Sequence, residues 1–280
     1  MTGLIDRTRY RADIISLWKH SFGDSDDYIK FFLDNCPSEC IGHFINEKPV
    51  SMLFLLNGSV NGHKVKYIYA ACTLEEFRGR GLMRELLEYC KIYCSELSCD
   101  GIFLVPAEES LYGYYERFGY ISCFGRTDIN TGFYAEADYE LTELNDTGTI
   151  VSLRKKLLSG LDCFIFDDAV SAYAVNEHFY CGGRIFSDSK ENGKCLIFAS
   201  ENGTKIEIKE LIPAFDVKML KNIKHLLNND AENVYIRCPI VYNNTDNMGK
   251  TAKCGMCLPL TDEFERSLVG KCFYAGMYLD

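Results

Sequence analysis

Between residues 82 and 97 apolar side chains recur at Met83, Leu86, Leu87, Cys90, Cys94 and Leu97, with Arg84, Glu85, Glu88, Lys91 and Glu96 between them. This is the spacing of a helix that buries one face. The run before it, 67–73, is aromatic and β-branched and then turns to small residues, which predicts a buried strand. Further upstream, Ile14, Ile15, Leu17 and Trp18 fall at helical spacing within 8–21. After the break at Gly23-Asp24-Ser25-Asp26, a second helix through Tyr28, Phe31, Phe32 and Leu33 is expected, capped by Asp24 or Ser25. Residues 40–45, 50–56 and 65–71 read as three strands, with turn chemistry at Asn46-Glu47-Lys48-Pro49 and from Asn57-Gly58 to Asn61-Gly62. Such short links predict an antiparallel meander. Residues 101–105 form an apolar run ended by Pro106, as a central strand requires; 108–118 is helical and stops at Gly119; and 120–124 opens another strand. The order predicts a mixed α/β sheet.

The second half repeats that order. Residues 157–166 fit either helix or strand, and strands are expected at 170–176, 180–186, 194–200 and 205–211, with turns at Asn192-Gly193 and Asn202-Gly203. A helix at 216–227 with Val217, Leu220, Ile223 and Leu227 on one face follows, then a strand at 233–240 and a terminal pair at 255–260 and 272–279. Repetition of a whole element order predicts two domains, 1–140 and 141–280, the second either a relative of the first or an unrelated α+β accessory domain.

Composition narrows the class. Apolar residues at 47% and charged residues at 25% describe an ordinary globular chain, and a formal charge of −10 argues against nonspecific nucleic-acid binding while suiting cationic partners. No apolar run approaches the ~20 residues of a membrane span. The N-terminal residues lack the zones of a signal peptide, so a cytoplasmic chain with reduced thiols is expected despite fourteen cysteines. The C-x-x-C at Cys254 and Cys257 has no second pair and no nearby histidine, and the five histidines at 20, 43, 63, 178 and 225 form no spaced pair, so no metal is expected.

The candidate chemistry lies between the strand at 67–73 and the helix at 82–97. There Arg78-Gly79-Arg80-Gly81 places a glycine-rich turn at a helix N-terminus, where unpaired N–H groups and two guanidinium groups suit phosphate oxygens. The turn is not a Walker loop, which would need Gly-Lys-Ser/Thr. It is not G-x-G-x-x-G either, because Met83 and Arg84 hold the later positions. A solvated loop is the alternative on this chemistry alone, and a nucleotide-binding protein is another.

Together with Tyr114-Tyr115-Glu116-Arg117-Phe118-Gly119-Tyr120 downstream, the strand, turn and helix resemble the GNAT superfamily of acetyl-CoA-dependent acyltransferases over about residues 5–135. Arg78 to Met83 is similar to that family's pyrophosphate loop, Met83 departing from the small residue at its end, and Tyr114 to Tyr120 is similar to its tyrosine signature. A looser resemblance links the chain to Eis-type multi-domain acetyltransferases. The second half has Ile212-Pro213-Ala214-Phe215 where the loop would stand, so a degenerate GNAT-like domain is expected there.

The resemblance implies that Ala71, Cys72 and Thr73 hold the pantetheine arm and that Arg78, Gly79, Arg80, Gly81, Leu82 and Met83 hold the pyrophosphate of acetyl-CoA. Tyr115 would give its proton to the departing thiolate, with Tyr112 on the same helical face as the alternative. The Asp280 carboxylate at the chain end would lie near the catalytic tyrosine, a plain edge strand being the alternative. Glu75 and Glu76 stand too close to cofactor phosphates to serve as base. Cys72 offers a ping-pong route, but no base accompanies it in sequence. The implied activity is direct acetyl transfer to a primary amine of a small or peptide acceptor, cationic by the chain's charge, without nucleic acid or membrane. A non-catalytic acyl-CoA sensor is the alternative, and the sequence leaves the acceptor, the base and the oligomeric state open.

Overall fold

The computed structural model describes residues 1–132, 140–188, 193–213, 220–228, 230–240, 249–277 and 279. In chain order the elements are β1 (Thr2–Leu4), α1 (Arg11–Phe22), α2 (Asp26–Asn35), β2 (Ser38–Ile45), β3 (Lys48–Val60), β4 (His63–Thr73), α3 (Leu82–Glu96), β5 (Gly101–Leu104) and α4 (Tyr112–Glu116). They continue with β6 (Ile121–Thr131), β7 (Leu141–Glu143), α5 (Thr147–Leu158), β8 (Cys163–Phe166), α6 (Asp168–Tyr180), β9 (Arg184–Asp188), β10 (Leu196–Asn202) and β11 (Lys205–Ile212). Last come α7 (Leu220–Leu227), β12 (Asn233–Cys238), β13 (Gly249–Pro259), α8 (Asp262–Leu268) and β14 (Phe273–Ala275). No described helix is long and apolar enough to cross a membrane.

Two compact units emerge, and neither is a single stretch of chain: the first is 1–121 with 256–269, the second 122–255 with 270–280. This partition differs from one cut after residue 140.

In the first unit the strand order is β1-β2-β3-β4-β5, with residues 256–259 of β13 antiparallel beside β5. The meander turns at Asn46-Glu47 (φ 49° and 63°) and Asn61-Gly62 (φ 49° and 86°), the positive pair that a two-residue hairpin turn demands. Asn57 and Gly58 instead pair with Lys66 and Val65 inside the ladder. Ser25 caps α2 by accepting from the Tyr28 amide, while Asp24 accepts from the Trp18 indole at 2.7 Å. On one face of the sheet α3 buries Leu86, Leu87, Cys90 and Cys94 against Ile41, Leu53, Leu55, Ile68, Ile102 and Leu104. On the other, Trp18 gathers Phe32, Phe54 and Tyr69, with ring centroids 4.9, 5.4 and 5.6 Å away. The late segment 256–269 completes this core: Met256 and Leu258 join the α3 face, and Phe264 of α8 is fully buried against Gly101, where a Cβ would strike its ring.

The second unit runs β6-β12-β11-β10-β9-β7, with the N-terminal part of β13 beside β6 and β14 parallel to β6 and β8. Two helices precede the meander β9-β10-β11, and α7 then leads to β12, parallel to β11. In the first unit α1 and α2 precede β2-β3-β4, and α3 leads to β5, parallel to β4. The two units therefore repeat one order of elements. A fully buried salt bridge ties the second: Arg154 donates to Glu210 at 2.7 and 2.9 Å and to the Gly276 carbonyl at 3.3 Å, and Tyr274 donates to Glu210 at 3.0 Å.

Three expectations for this half give way. Residues 170–176 lie inside α6, and only the end of 180–186 is strand, in β9. The terminal pair is no pair: 256–259 joins β5, while β14 lies between β6 and β8. Residues 214–219, which include Ala214, Phe215 and Val217, lie outside the described residues.

Candidate functional site

Strand β4 pairs in parallel with β5 from Val65↔Gly101 to Ile68↔Leu104, and the pairing ends there because β5 stops before Pro106. β4 runs on to Thr73, held by β3 through Met52↔Cys72 and Ser51↔Thr73. Between Phe54↔Tyr69 and Met52↔Cys72 the register shifts, and Ala70 adopts φ 48°, a bulge that turns the following backbone. Residues 69–73 thus project past the end of β5, and small side chains at Ala70 and Ala71 leave the backbone approachable. Ser51, fully buried, fixes this edge: its hydroxyl donates to the Cys72 carbonyl at 2.9 Å and lies 2.7 Å from the Thr73 hydroxyl.

The 3₁₀ turn Glu75–Phe77 carries the chain from β4 into the loop, with Glu75 and Glu76 exposed. Gly79 and Gly81 sit at φ 75° and 80°, a region that penalises any side chain. Gly81 is the N-cap of α3 and no side chain caps that end, so the first-turn N–H groups are open to an anion. Arg78 donates to the Thr73 carbonyl at 3.1 Å, and Arg80 donates to the Glu76 carbonyl at 2.8 Å and lies 5.0 Å over the Phe77 ring. The loop is braced by its own arginines, whose remaining N–H groups face solvent. Leu82 is buried, and Met83 turns inward onto the α3 core, away from the exposed loop.

Tyr115 stands on α4 at 9% exposure, its ring 5.3 Å from Tyr114 and 5.6 Å from Tyr120. Burial pushes its phenol up to about 12, so it holds its proton through the neutral range. Among the described residues no group hydrogen-bonds its hydroxyl. Tyr112 lies in the same core cluster, as the shared helical face predicts. Burial also raises the Cys72 thiol to about 12, which leaves almost no thiolate at neutral pH. Asp280 lies outside the described residues. Sequence reasoning missed Ser51, whose one signal was a hydroxyl in the otherwise apolar stretch 50–56.

The first unit thus holds a strand overrunning its parallel neighbour, an uncapped glycine-arginine turn whose N–H groups suit an anion, and a tyrosine that keeps its proton through the neutral range. Residues 8–120 match the family model described as acetyltransferase (GNAT) family, and this segment is a GNAT domain. The fold is similar to that of a conserved protein from Enterococcus faecalis V583 described as a probable N-acyltransferase (TM-score 0.74, 11% identity, 93% of this chain and 72% of that one). Eis1 from Mycobacterium abscessus gives a TM-score of 0.65 at 9% identity, over 94% of this chain and 75% of its own. A tandem GNAT protein from the clavulanic acid biosynthesis pathway gives 0.58 at 10% identity, over 93% and 98%. At such identities the likeness is one of fold. The chain thus has a GNAT fold in its first unit and a second unit that repeats the same order of elements. No curated protein matches its sequence.

Proposed function

We propose that this chain is an acetyl-CoA-dependent N-acetyltransferase that moves an acetyl group directly to a primary amine within a ternary complex, with 1–140, completed by 256–269, as the catalytic domain. The observation that carries the reading is the overrun of β4 beyond Leu104, continuous with the 78–81 turn. In it the backbone of Ala71, Cys72 and Thr73 takes the pantetheine arm, and the loop N–H groups with Arg78 and Arg80 take the pyrophosphate. A backbone N–H at the bulge faces the thioester oxygen, where one such donor is worth about 3 kcal/mol in rate. As the C–N bond forms and the C–S bond breaks, Tyr115 hydrogen-bonds the leaving thiolate and passes it a proton that the surplus proton of the attacking amine replaces, since a phenol raised to about 12 does not stay ionised at neutral pH. The raised Cys72 thiol supports direct transfer over an acyl-enzyme. Asp280 stays in the proposal on the family resemblance, and deleting it without loss of activity would remove it. The acceptor is a small or peptide amine of cationic character, in keeping with a formal charge of −10.

The test is coenzyme A release from acetyl-CoA over a panel of polyamines, aminoglycosides and peptide N-termini. Turnover with at least one amine is expected. Stabilisation by acetyl-CoA with no turnover on any amine would replace the enzyme by an acyl-CoA sensor. Stabilisation by ATP or NAD and none by acetyl-CoA would make it a nucleotide-binding protein.

A further inference from the structure

Helix α3 ends in a closed turn. The Ser98 amide donates to the Ser95 carbonyl at 3.0 Å and the Cys99 amide to the Cys94 carbonyl at 2.9 Å, with Ser98 left-handed at φ 53°. Two such bonds around a left-handed residue form a helix stop that folds the following side chain back onto the last turn, where an apolar pair commonly meets. Here the pair is Cys94 and Cys99, both buried in the α3 core. The two thiols hydrogen-bond one another. A disulfide needs Cβ atoms about 3.5–4.5 Å apart, so thiols that already touch call for side-chain rotation rather than a new fold.

The surroundings treat the two unequally. Cys94 is raised by giving its hydrogen to Cys99 and by burial. Cys99 is lowered by accepting that hydrogen and by the ammonium groups of Lys64 and Lys66, while burial and Glu39, the ion-pair partner of Lys66, oppose them. Lys64 is fixed at this turn, donating to the Leu97 carbonyl at 2.8 Å. By contrast, burial raises the thiols of Cys40, Cys72 and Cys90. Ser95, Glu96 and Ser98 in the same turn are exposed, so fraying of the helix end admits a small oxidant and excludes a bulky one.

We propose that Cys94 and Cys99 are a peroxide-reactive dithiol, a modification site that closes to a disulfide at the end of α3. It stands apart from the acyl-transfer chemistry and does not depend on it. The Cys99 thiolate attacks hydrogen peroxide: an S–O bond forms, the O–O bond breaks, and the departing hydroxide takes up the proton that Cys99 lost. Cys94 then attacks the Cys99 sulfur. The S–S bond forms as the S–O bond breaks, and the Cys94 proton leaves with the oxygen as water. Two thiols give up two electrons, and one peroxide becomes two waters.

Trypsin should release residues 92–117 as one peptide whose only cysteines are Cys94 and Cys99, so the disulfide reads by mass as the loss of two hydrogen atoms. When the reduced full chain meets hydrogen peroxide at neutral pH, this peptide is expected to convert severalfold faster than the exposed Cys181 is oxidised. Urea, which dissolves the turn, should erase that lead. In Cys94→Ser, Cys99 should accumulate as a sulfenic acid trapped by dimedone, and in Cys99→Ser, Cys94 should remain a thiol. The wild-type comparison with and without urea decides the matter even where a serine variant fails to fold. Conversion no faster than that of Cys181, or a lead that persists in urea, overturns the dithiol. Trapping at Cys94 rather than Cys99 overturns the order of attack.

Discussion

At the scale of single residues, Tyr115 is defined by what its hydroxyl does not touch. Since no described residue bonds it, Tyr115→Phe removes an oxygen without leaving a protein partner unsatisfied. The variant is expected to keep its melting temperature and acetyl-CoA affinity while kcat falls by about a hundredfold, the usual scale for losing a general acid. Full activity would move the acid elsewhere, with Tyr112 first in line. The raised phenol has a second consequence. An unfolded chain releases that proton near pH 10, whereas the folded one holds it to about 12, so the contribution of Tyr115 to stability is complete below pH 10 and is lost as pH rises through that window. Motif spacing singles out Tyr115 and the loop arginines in the sequence. It passes over Ser51, whose role depends on Cys72 and Thr73 arriving opposite it across the sheet.

At the scale of elements, the turn before α3 is built on conformation rather than crowding. A Cβ at Gly79 or Gly81 would meet nothing within contact range, so alanine there bears only the left-handed backbone penalty of about 1–2 kcal/mol. Gly79→Ala should therefore lower the melting temperature by only a few degrees, yet weaken coenzyme A binding about tenfold by moving N–H groups off their aim. Unchanged affinity would mean the loop is not the cradle. Helix α6 shows why the second half was harder to read. It buries Val170, Tyr173, Ala174, Val175, Glu177 and His178 on several sides, so no polar stripe betrays its period, and its β-branched and aromatic content suggests a strand. His178, at the end of α6, packs against Gly183 and the Phe198 ring, donates from Nε2 to the Arg184 carbonyl at 3.2 Å, and is lowered by burial to about 4. Its unfolded counterpart takes up a proton near pH 6.5. Stability should hold above that value and fall by about 3 kcal/mol as pH drops toward 4. Urea melts across this range should show the loss, and His178→Gln should flatten it; an equal slope in the variant assigns the loss to other groups.

At the scale of the whole molecule, the chain crosses between its two units three times, because residues 256–269 return to the first unit after the second has been built. Hydrophobic pattern shows that a segment is a strand but not which strand it will join, and for 256–259 the partner is β5, more than half the chain away. The consequence is measurable. A polypeptide ending at residue 140 keeps the loop, Tyr115 and the whole meander, yet it lacks Met256 and Leu258 over the α3 core and the fully buried Phe264 beside Gly101. Three such side chains are worth about 5–8 kcal/mol of burial, which is comparable to the ~5–15 kcal/mol that holds a domain folded. The cut also bares β5 as an apolar edge open to aggregation. The truncated chain should therefore be largely insoluble or molten and show no coenzyme A binding. Residues 1–121 joined through a flexible Gly/Ser linker to 256–269 should melt cooperatively and bind coenzyme A. If the simple truncation to 140 folds and binds as well as the joined form, the late strand and helix are accessory to the first unit rather than part of its core.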